Sequence, residues 1–170
     1  MFFSKSVLSA IAMATVTAFS VSAAPSLKGE KHTVTFLNKC SFGTPKLQRN
    51  GKTINGDGNT SYTENGRLTA TAWLDYDRCG FSGENCSLVV IDLENGTESN
   101  NADSSVYIEL SDQYAYSVPV KFQYQGPCDG GNQCLSASCC PDGASCDNNN
   151  ELAERQCLAN NANLEITFCP

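Results

Sequence analysis

The chain has 170 residues, of which 18 are acidic, 11 are Lys or Arg and one is His, so its formal net charge is −7. An acidic chain lacks the positive surface that a phosphate backbone attracts, which argues against nucleic acid as a partner. A chain of this length is expected to form one domain. With a single His there are few metal ligands and proton carriers, so we expect no metal and no cofactor.

Residues 1–23 have the pattern of a secretory signal peptide. Lys5 is their only charged residue, and an apolar run rich in Ala, Ser and Thr leads to small residues ending at Ala23. The run is shorter than the roughly 20 apolar residues that a transmembrane helix needs, so no membrane span is predicted. Cleavage would release a domain of residues 24–170 with 10 basic and 18 acidic side chains, a net charge of −8.

Alternating runs predict β-strands along the rest of the chain. Apolar residues occupy every second position near Val34, between Val106 and Leu110, from Tyr114 to Tyr124 and from Leu164 to Phe168. A period of two residues is typical of half-buried strands. Asn-Gly pairs, which favour tight turns, begin at Asn50, Asn55, Asn65 and Asn95. Only residues 150–157 have a helical pattern, so the predicted fold is all-β, an antiparallel β-sandwich or flattened barrel.

The ten Cys all follow residue 23, and an even number of Cys in an exported chain predicts five disulfides. Six of them lie between Cys128 and Cys157, in a segment with few apolar residues. This segment is predicted to be a loop region held by disulfides and not a second domain. Three sequons predict N-glycosylation. They begin at Asn59, Asn95 and Asn85, and the triplet of Asn85 contains Cys86.

Residues 35–40 (Thr-Phe-Leu-Asn-Lys-Cys) and 166–170 (Ile-Thr-Phe-Cys-Pro) resemble the first and last strands of thaumatin-like proteins. Residues 107–111 and 118–122 resemble two paired strands of that family's sandwich. The similarity covers most of residues 32–170 and is nearer to the small secreted members from fungi than to the plant defence proteins. It implies a thaumatin-like β-sandwich with a disulfide-stapled loop region.

The resemblance also implies three disulfides. They are Cys40 with Cys169, Cys79 with Cys86, and Cys128 with Cys157. The remaining Cys134, Cys139, Cys140 and Cys146 allow three pairings. Because adjacent Cys are poor partners for each other, one of Cys139 and Cys140 is expected to bond Cys134 and the other Cys146.

Thaumatin-like proteins typically have an acidic cleft that is linked to β-1,3-glucan binding, and the resemblance places Glu109 at the position of a cleft Asp. Asp75 and Asp77 are two residues apart on a predicted strand, so they would share a face with Trp73. An aromatic ring beside two carboxylates suits a sugar, because the ring stacks on the pyranose and the carboxylates accept hydroxyl hydrogen bonds. Glu84 completes the predicted glucan-binding set.

Each of these residues also has a purely structural interpretation. Trp73 would belong to the core, the two Asp to a solvated face, and Glu109 to a cross-strand ion pair with Lys121. His32 lies far in sequence from any nucleophile, so a Ser-His-Asp triad is not expected.

The sequence therefore predicts a secreted, glycosylated, monomeric fungal protein of the extracellular space or cell wall. Its expected role is to bind β-1,3-glucan and take part in wall remodelling during growth or spore germination. One alternative is an endo-β-1,3-glucanase that uses Glu109 with Asp75 or Asp77 as catalytic carboxyls. Another is an adhesin, effector or antifungal protein that binds surface proteins of a host or competitor.

Overall fold

The computed structural model describes residues 29–56, 60–97, 101–146 and 151–170, so the predicted signal peptide and Asn59 lie outside the described residues. The described residues form eleven strands. They are β1 (Lys31–Asn38), β2 (Thr44–Arg49), β3 (Lys52–Asn55), β4 (Ser61–Asn65), β5 (Leu68–Asp75), β6 (Leu88–Leu93), β7 (Ser104–Glu109), β8 (Val120–Gln125), β9 (Gly131–Cys134), β10 (Arg155–Cys157) and β11 (Asn163–Phe168).

The strands form two sheets, which confirms the predicted all-β sandwich. One sheet has the strand order β4-β1-β11-β8-β9, and the other has the order β10-β7-β6-β5-β2-β3. The prediction of an antiparallel sandwich needs one correction, because β1 and β11 pair in parallel, with Val34 opposite Leu164. A parallel pair cannot be joined by a tight turn, and here its two strands come from opposite ends of the described chain.

The core lies between the two sheets and follows the alternation of the strands. On β5, Leu68, Ala70 and Leu74 are at most 5% exposed and point inward, as do Val89 and Ile91 on β6. From the other sheet come Val34, Phe36, Val120, Phe122, Leu164, Ile166 and Phe168. Since each strand buries every second side chain, the intervening residues form the outer faces of the sandwich.

The Asn50-Gly51 pair forms the tight turn that its sequence predicts. It joins β2 to β3, and the two residues have φ angles of 50° and 71°. Two consecutive positive φ angles are the geometry of a two-residue hairpin turn whose twist matches that of the strands. The pair at Asn65 also ends a strand, but β4 and β5 lie in different sheets, so this turn carries the chain across the sandwich.

The long strand predicted for residues 114–124 is shorter in the structure. Only Val120–Gln125 form β8, and residues 114–119 form a loop. This loop is held by hydrogen bonds that involve side chains and not by pairing with a strand. The Tyr116 hydroxyl donates to the Leu135 carbonyl at 2.9 Å, and the Ser117 N–H donates to the Ser87 hydroxyl at 3.0 Å. Periodicity alone does not distinguish such a loop from a strand.

The two strands that resembled a paired stretch are not paired. β7 and β8 belong to different sheets, so Glu109 and Lys121 are not cross-strand neighbours and the ion pair considered between them is wrong. Lys121 lies opposite Thr167 and Gln133 instead.

The helix predicted over residues 150–157 is also wrong for the residues that the structure describes. Residues 155–157 form β10, which pairs with β7, and residues 151–153 form a turn. An eight-residue helix is marginal in water, whereas β10 gains ladder hydrogen bonds and a disulfide at Cys157. The Cys-rich region is thus a loop region that supplies two edge strands, β9 and β10.

Five disulfides are present. Three are the pairs that the resemblance implies, Cys40–Cys169, Cys79–Cys86 and Cys128–Cys157. The other two are Cys134–Cys139 and Cys140–Cys146. The first of the five links the chain just after the C-terminal ends of the parallel strands β1 and β11, with a Cα–Cα distance of 5.3 Å.

Candidate functional site

The outer face of the six-stranded sheet contains most of the residues that the sequence singled out. The strand register places Lys46 opposite both Asn55 and Trp73, and it places Leu88 opposite Glu109. Because Ala72 lies opposite Val89, Trp73 and Leu88 are also neighbours. These five side chains therefore form one row across the sheet, on the side that faces away from the core.

Trp73 is covered by the loop that the Cys79–Cys86 disulfide closes. Its side chain is 1% exposed and packs with Cys86 and Leu88 in a small cluster outside the main core. The loop approaches the ring at Gly83, which has a φ of 85° and where a Cβ would lie 3.1 Å from Trp73 Cδ2. The indole ring thus supports the loop and is not open to stack on a sugar, although its Nε1–H has no hydrogen-bond acceptor among the described residues.

A shallow depression of about 330 Å³ lies beside the same loop. Its polar wall is formed by Lys46, whose Nζ donates to Asn55 Oδ1 at 2.7 Å and lies 3.5 Å from Asp75 Oδ2. Its apolar wall is Phe81, which is 75% exposed at the tip of the loop. The lining residues are Lys46, Thr53, Asn55, Trp73, Asp75, Cys79, Gly80 and Phe81. The depression therefore combines one exposed aromatic ring with a cation, an anion and a neutral amide, which can donate and accept hydrogen bonds.

Two further aromatic side chains lie next to this depression along the chain. Phe42, which is 48% exposed, makes an edge-to-face contact with Tyr76, with ring centroids 5.3 Å apart. Tyr76 follows Asp75 at the end of β5, and Asp75 pairs with Thr44. This end of the sheet is thus unusually rich in aromatic surface.

The four predicted carboxylates do not share one cleft. Asp77 lies beyond the end of β5 and is exposed. Glu84 turns back into its own loop, where its Oε2 accepts the Ser82 N–H at 2.8 Å. Asp75 lies in the depression and Glu109 lies two strands away on β7.

Two strand spacings separate Asp75 from Glu109 on the outer face of the sheet. Two strand spacings of about 4.8 Å and two residue rises of about 3.3 Å put their Cα atoms roughly 12 Å apart. Retaining glycosidases hold their carboxyl groups about 5 to 5.5 Å apart and inverting enzymes about 6.5 to 9.5 Å apart. Leu88 and the disulfide loop also stand between the two side chains.

Glu109 lies in an aromatic environment of its own. It is 8% exposed, and Tyr107 is two residues earlier on the same face of β7. Burial raises the pKa of the Tyr107 hydroxyl, and the Glu109 charge raises it further. Burial likewise raises the pKa of Tyr114, and the charges of Glu84 and Glu109 add to this effect. Both phenols therefore lie within electrostatic reach of Glu109.

The two predicted glycosylation sites that the structure describes differ in accessibility. Asn85 is exposed at a positive φ of 62° on the disulfide loop. Asn95 is partly buried, and its Nδ2 donates to Asn161 Oδ1 at 3.1 Å. A glycan on Asn95 would have to share that amide nitrogen with this hydrogen bond.

His32 holds loops around the start of β1 through hydrogen bonds. It is fully buried, its Nδ1 lies 2.7 Å from the Ala162 carbonyl oxygen, and its Nε2 lies 3.0 Å from Glu30 Oε1. Glu30 also accepts the Asn95 N–H at 2.7 Å. These bonds tie the start of β1 to the loops on either side.

Within the described residues, no group of three or more His, Cys, Asp and Glu side chains is arranged to hold a metal ion. The same residues contain no helix with the length and apolar character needed to cross a membrane.

Sequence reasoning did not single out Phe81, Lys46 or Asn55. Alternation places Lys46 on the face opposite Leu47, so its outward direction could be read from the sequence. An aromatic residue in a loop closed by a disulfide with a sequence separation of only 7 is also a signal, because a loop this short has no core in which to bury it. That Asn55 meets Lys46 depends on the β2–β3 register, which the Asn50-Gly51 turn sets.

No protein-family model matches the chain, and no curated protein matches it in sequence. Among solved structures it is similar to the crystal structure of the protein elicitor MoHrip2 from Magnaporthe oryzae, with 14% sequence identity and a TM-score of 0.46. The match covers 83% of this chain and 99% of that one.

Proposed function

We propose that the protein is a secreted, thaumatin-like β-sandwich that binds β-1,3-glucan in the depression beside Phe81. The observation that carries this proposal is the pairing of a largely exposed ring with a compact polar cluster in an open depression. A pyranose has one apolar face and a rim of hydroxyl groups. Phe81 would contact the face, while Lys46, Asn55 and Asp75 would exchange hydrogen bonds with the rim.

Further features support this proposal. Five disulfides suit an oxidising extracellular environment such as the cell wall. Cys79, Gly80 and Phe81 line the depression, so the loop that the Cys79–Cys86 disulfide closes forms part of its wall. We propose that the protein acts in wall remodelling during growth or spore germination, as a binding protein.

Phe81→Ala is expected to weaken binding to β-1,3-glucan oligosaccharides by about ten-fold to a hundred-fold, because a Phe ring that loses its contact forfeits about 1.5 to 3 kcal/mol. Calorimetric titration measures this change. Leu158→Ala removes a comparably exposed apolar side chain from another part of the surface and should bind as the wild type does. Equal affinities for wild type and Phe81→Ala would refute the site, and a wild type that ignores insoluble β-1,3-glucan would refute the function.

Hydrolysis is not part of the proposal. Since Leu88 and the disulfide loop stand between Asp75 and Glu109, we expect no release of reducing sugar from laminarin above that of a heat-denatured sample. Sustained release that disappears in Glu109→Gln would instead establish the glucanase alternative.

A further inference from the structure

Two buried polar side chains at the end of β7 lack partners. Ser145 forms an isolated parallel bridge with Glu109, in which the Leu110 N–H donates to the Ser145 carbonyl at 2.7 Å. Residues paired in this way project their side chains to the same side of the sheet. The Ser145 side chain is 1% exposed and its hydroxyl has no hydrogen-bond partner, while Glu109 is 8% exposed and forms none of the ion pairs of the described residues.

The surroundings of this pair suit a positive charge. Glu109 is 8% exposed and has no cation beside it in the described residues, so an ammonium group would supply the charge partner that its carboxylate lacks. Tyr107 lies two residues before Glu109 on the same face of β7, and Tyr114 packs against the cluster of Leu88, which is opposite Glu109. Aromatic rings attract ammonium groups through their faces. An ammonium group also has three N–H donors, enough for both Glu109 and the Ser145 hydroxyl. A neutral hydroxyl would leave the charge of Glu109 uncompensated.

The location of the pair connects it to the depression beside Phe81. Glu109 belongs to the same row as Lys46 and Trp73, on the same outer face, two strands from β5 and thus about 10 Å away. An extended polymer would have to pass over the disulfide loop, which covers Trp73 and Leu88, to reach both places. The mature chain that the signal peptide predicts has a net charge of −8, which would attract a cationic polymer over longer distances.

We propose that Glu109 and Ser145, flanked by Tyr107 and Tyr114, bind the ammonium group of a glucosamine unit in a deacetylated, cationic polysaccharide such as chitosan. The inference rests on the proposed function in taking a polysaccharide as the ligand and this outer face as its site. It adds a second subsite, in which affinity depends on the charge of Glu109 and not on the exposed ring of Phe81.

The test compares soluble chitosan oligosaccharides with the same oligosaccharides after full N-acetylation, at an acidic pH where the free amines are protonated. Glu109→Gln is expected to weaken binding to the chitosan oligosaccharides about ten-fold or more, as loss of a charged hydrogen bond implies. Glu165→Gln makes the same change on the opposite face of the sandwich and should alter affinity less than about two-fold. Ser145→Ala should weaken binding without altering the net charge. The N-acetylated oligosaccharides should not distinguish wild type from Glu109→Gln.

Several outcomes would overturn the proposal. Equal losses in Glu109→Gln and Glu165→Gln would mean that the acidic surface attracts the polymer without a site. Glu109-dependent binding of an oligolysine peptide together with no binding of chitosan would point to a protein partner instead. The two proposals fail separately, because β-1,3-glucan binding should depend on Phe81 and be unchanged in Glu109→Gln, whereas chitosan binding should depend on Glu109.

Discussion

Replacing both Cys40 and Cys169 with Ala is expected to lower the free energy of unfolding by about 5 kcal/mol, because the bond closes a loop of 129 residues in the unfolded chain. In the chain-entropy model the cost of closing a loop rises with the logarithm of its length, so this bond is the most stabilising of the five. For a domain with a typical net stability of about 5 to 15 kcal/mol, such a loss is large. Denaturant titration followed by fluorescence of Trp73 measures it.

A short-loop disulfide provides the control. Cys134–Cys139 has a sequence separation of 5, and its removal is expected to cost about 2 kcal/mol in the same model. If both double variants lose the same stability, loop length does not govern the contribution. The contribution of each bond would then have to come from native contacts, such as the β1–β11 ladder beside Cys40 and Cys169.

Trp73→Ala is expected to destabilise the protein by about 3 to 5 kcal/mol, the usual cost of removing a fully buried Trp or Phe side chain. The ring lies outside the main core, yet it is almost completely covered by the Cys79–Cys86 loop and Leu88. Thermal unfolding followed by circular dichroism measures the loss, which corresponds to a fall in melting temperature of roughly 2 to 4 °C per kcal/mol for a domain of this size.

This variant also separates two roles for the Trp. Trp73→Phe should recover part of the stability, because an aromatic ring would still support the loop. Phe81→Ala should leave stability within about 0.5 kcal/mol of the wild type, since the side chain is 75% exposed. Should Trp73→Ala unfold at the wild-type temperature and yet fail to bind glucan, the indole would be a ligand contact and not a support.

The fold was predictable where a signal depends on neighbours in sequence. Alternation near Val34 and Ile108 gave the strands and their inward faces, and the Asn50-Gly51 pair gave the hairpin turn. The strand that alternation predicts at residues 114–119 is absent. An extended segment becomes a strand only if the edge of a sheet is available for pairing, and this depends on the tertiary fold. The helix predicted at residues 150–157 is wrong for a similar reason. The edge of β7 pairs with residues 155–157, and Cys157 bonds Cys128.

The candidate site was less predictable than the fold. The sequence correctly put Trp73 and Asp75 on one face, but it gave no indication that a disulfide loop would cover the ring. It also grouped Glu109 with Asp75, although two strand spacings separate them. Which carboxylates meet depends on the strand order of the sheet, and strand order is set by the packing of the whole sandwich.

The β1–β11 pairing has a consequence for the order in which the protein is made. Strands β2, β3, β5, β6 and β7 follow one another closely along the chain and pair with near neighbours, so most of the six-stranded sheet can form while synthesis continues. The other sheet cannot be completed in this way, because β1 needs β11 as its parallel neighbour and Cys40 needs Cys169. The inner face of the six-stranded sheet therefore stays partly uncovered until β11 has been synthesised, so the core of the sandwich forms only at the end of synthesis.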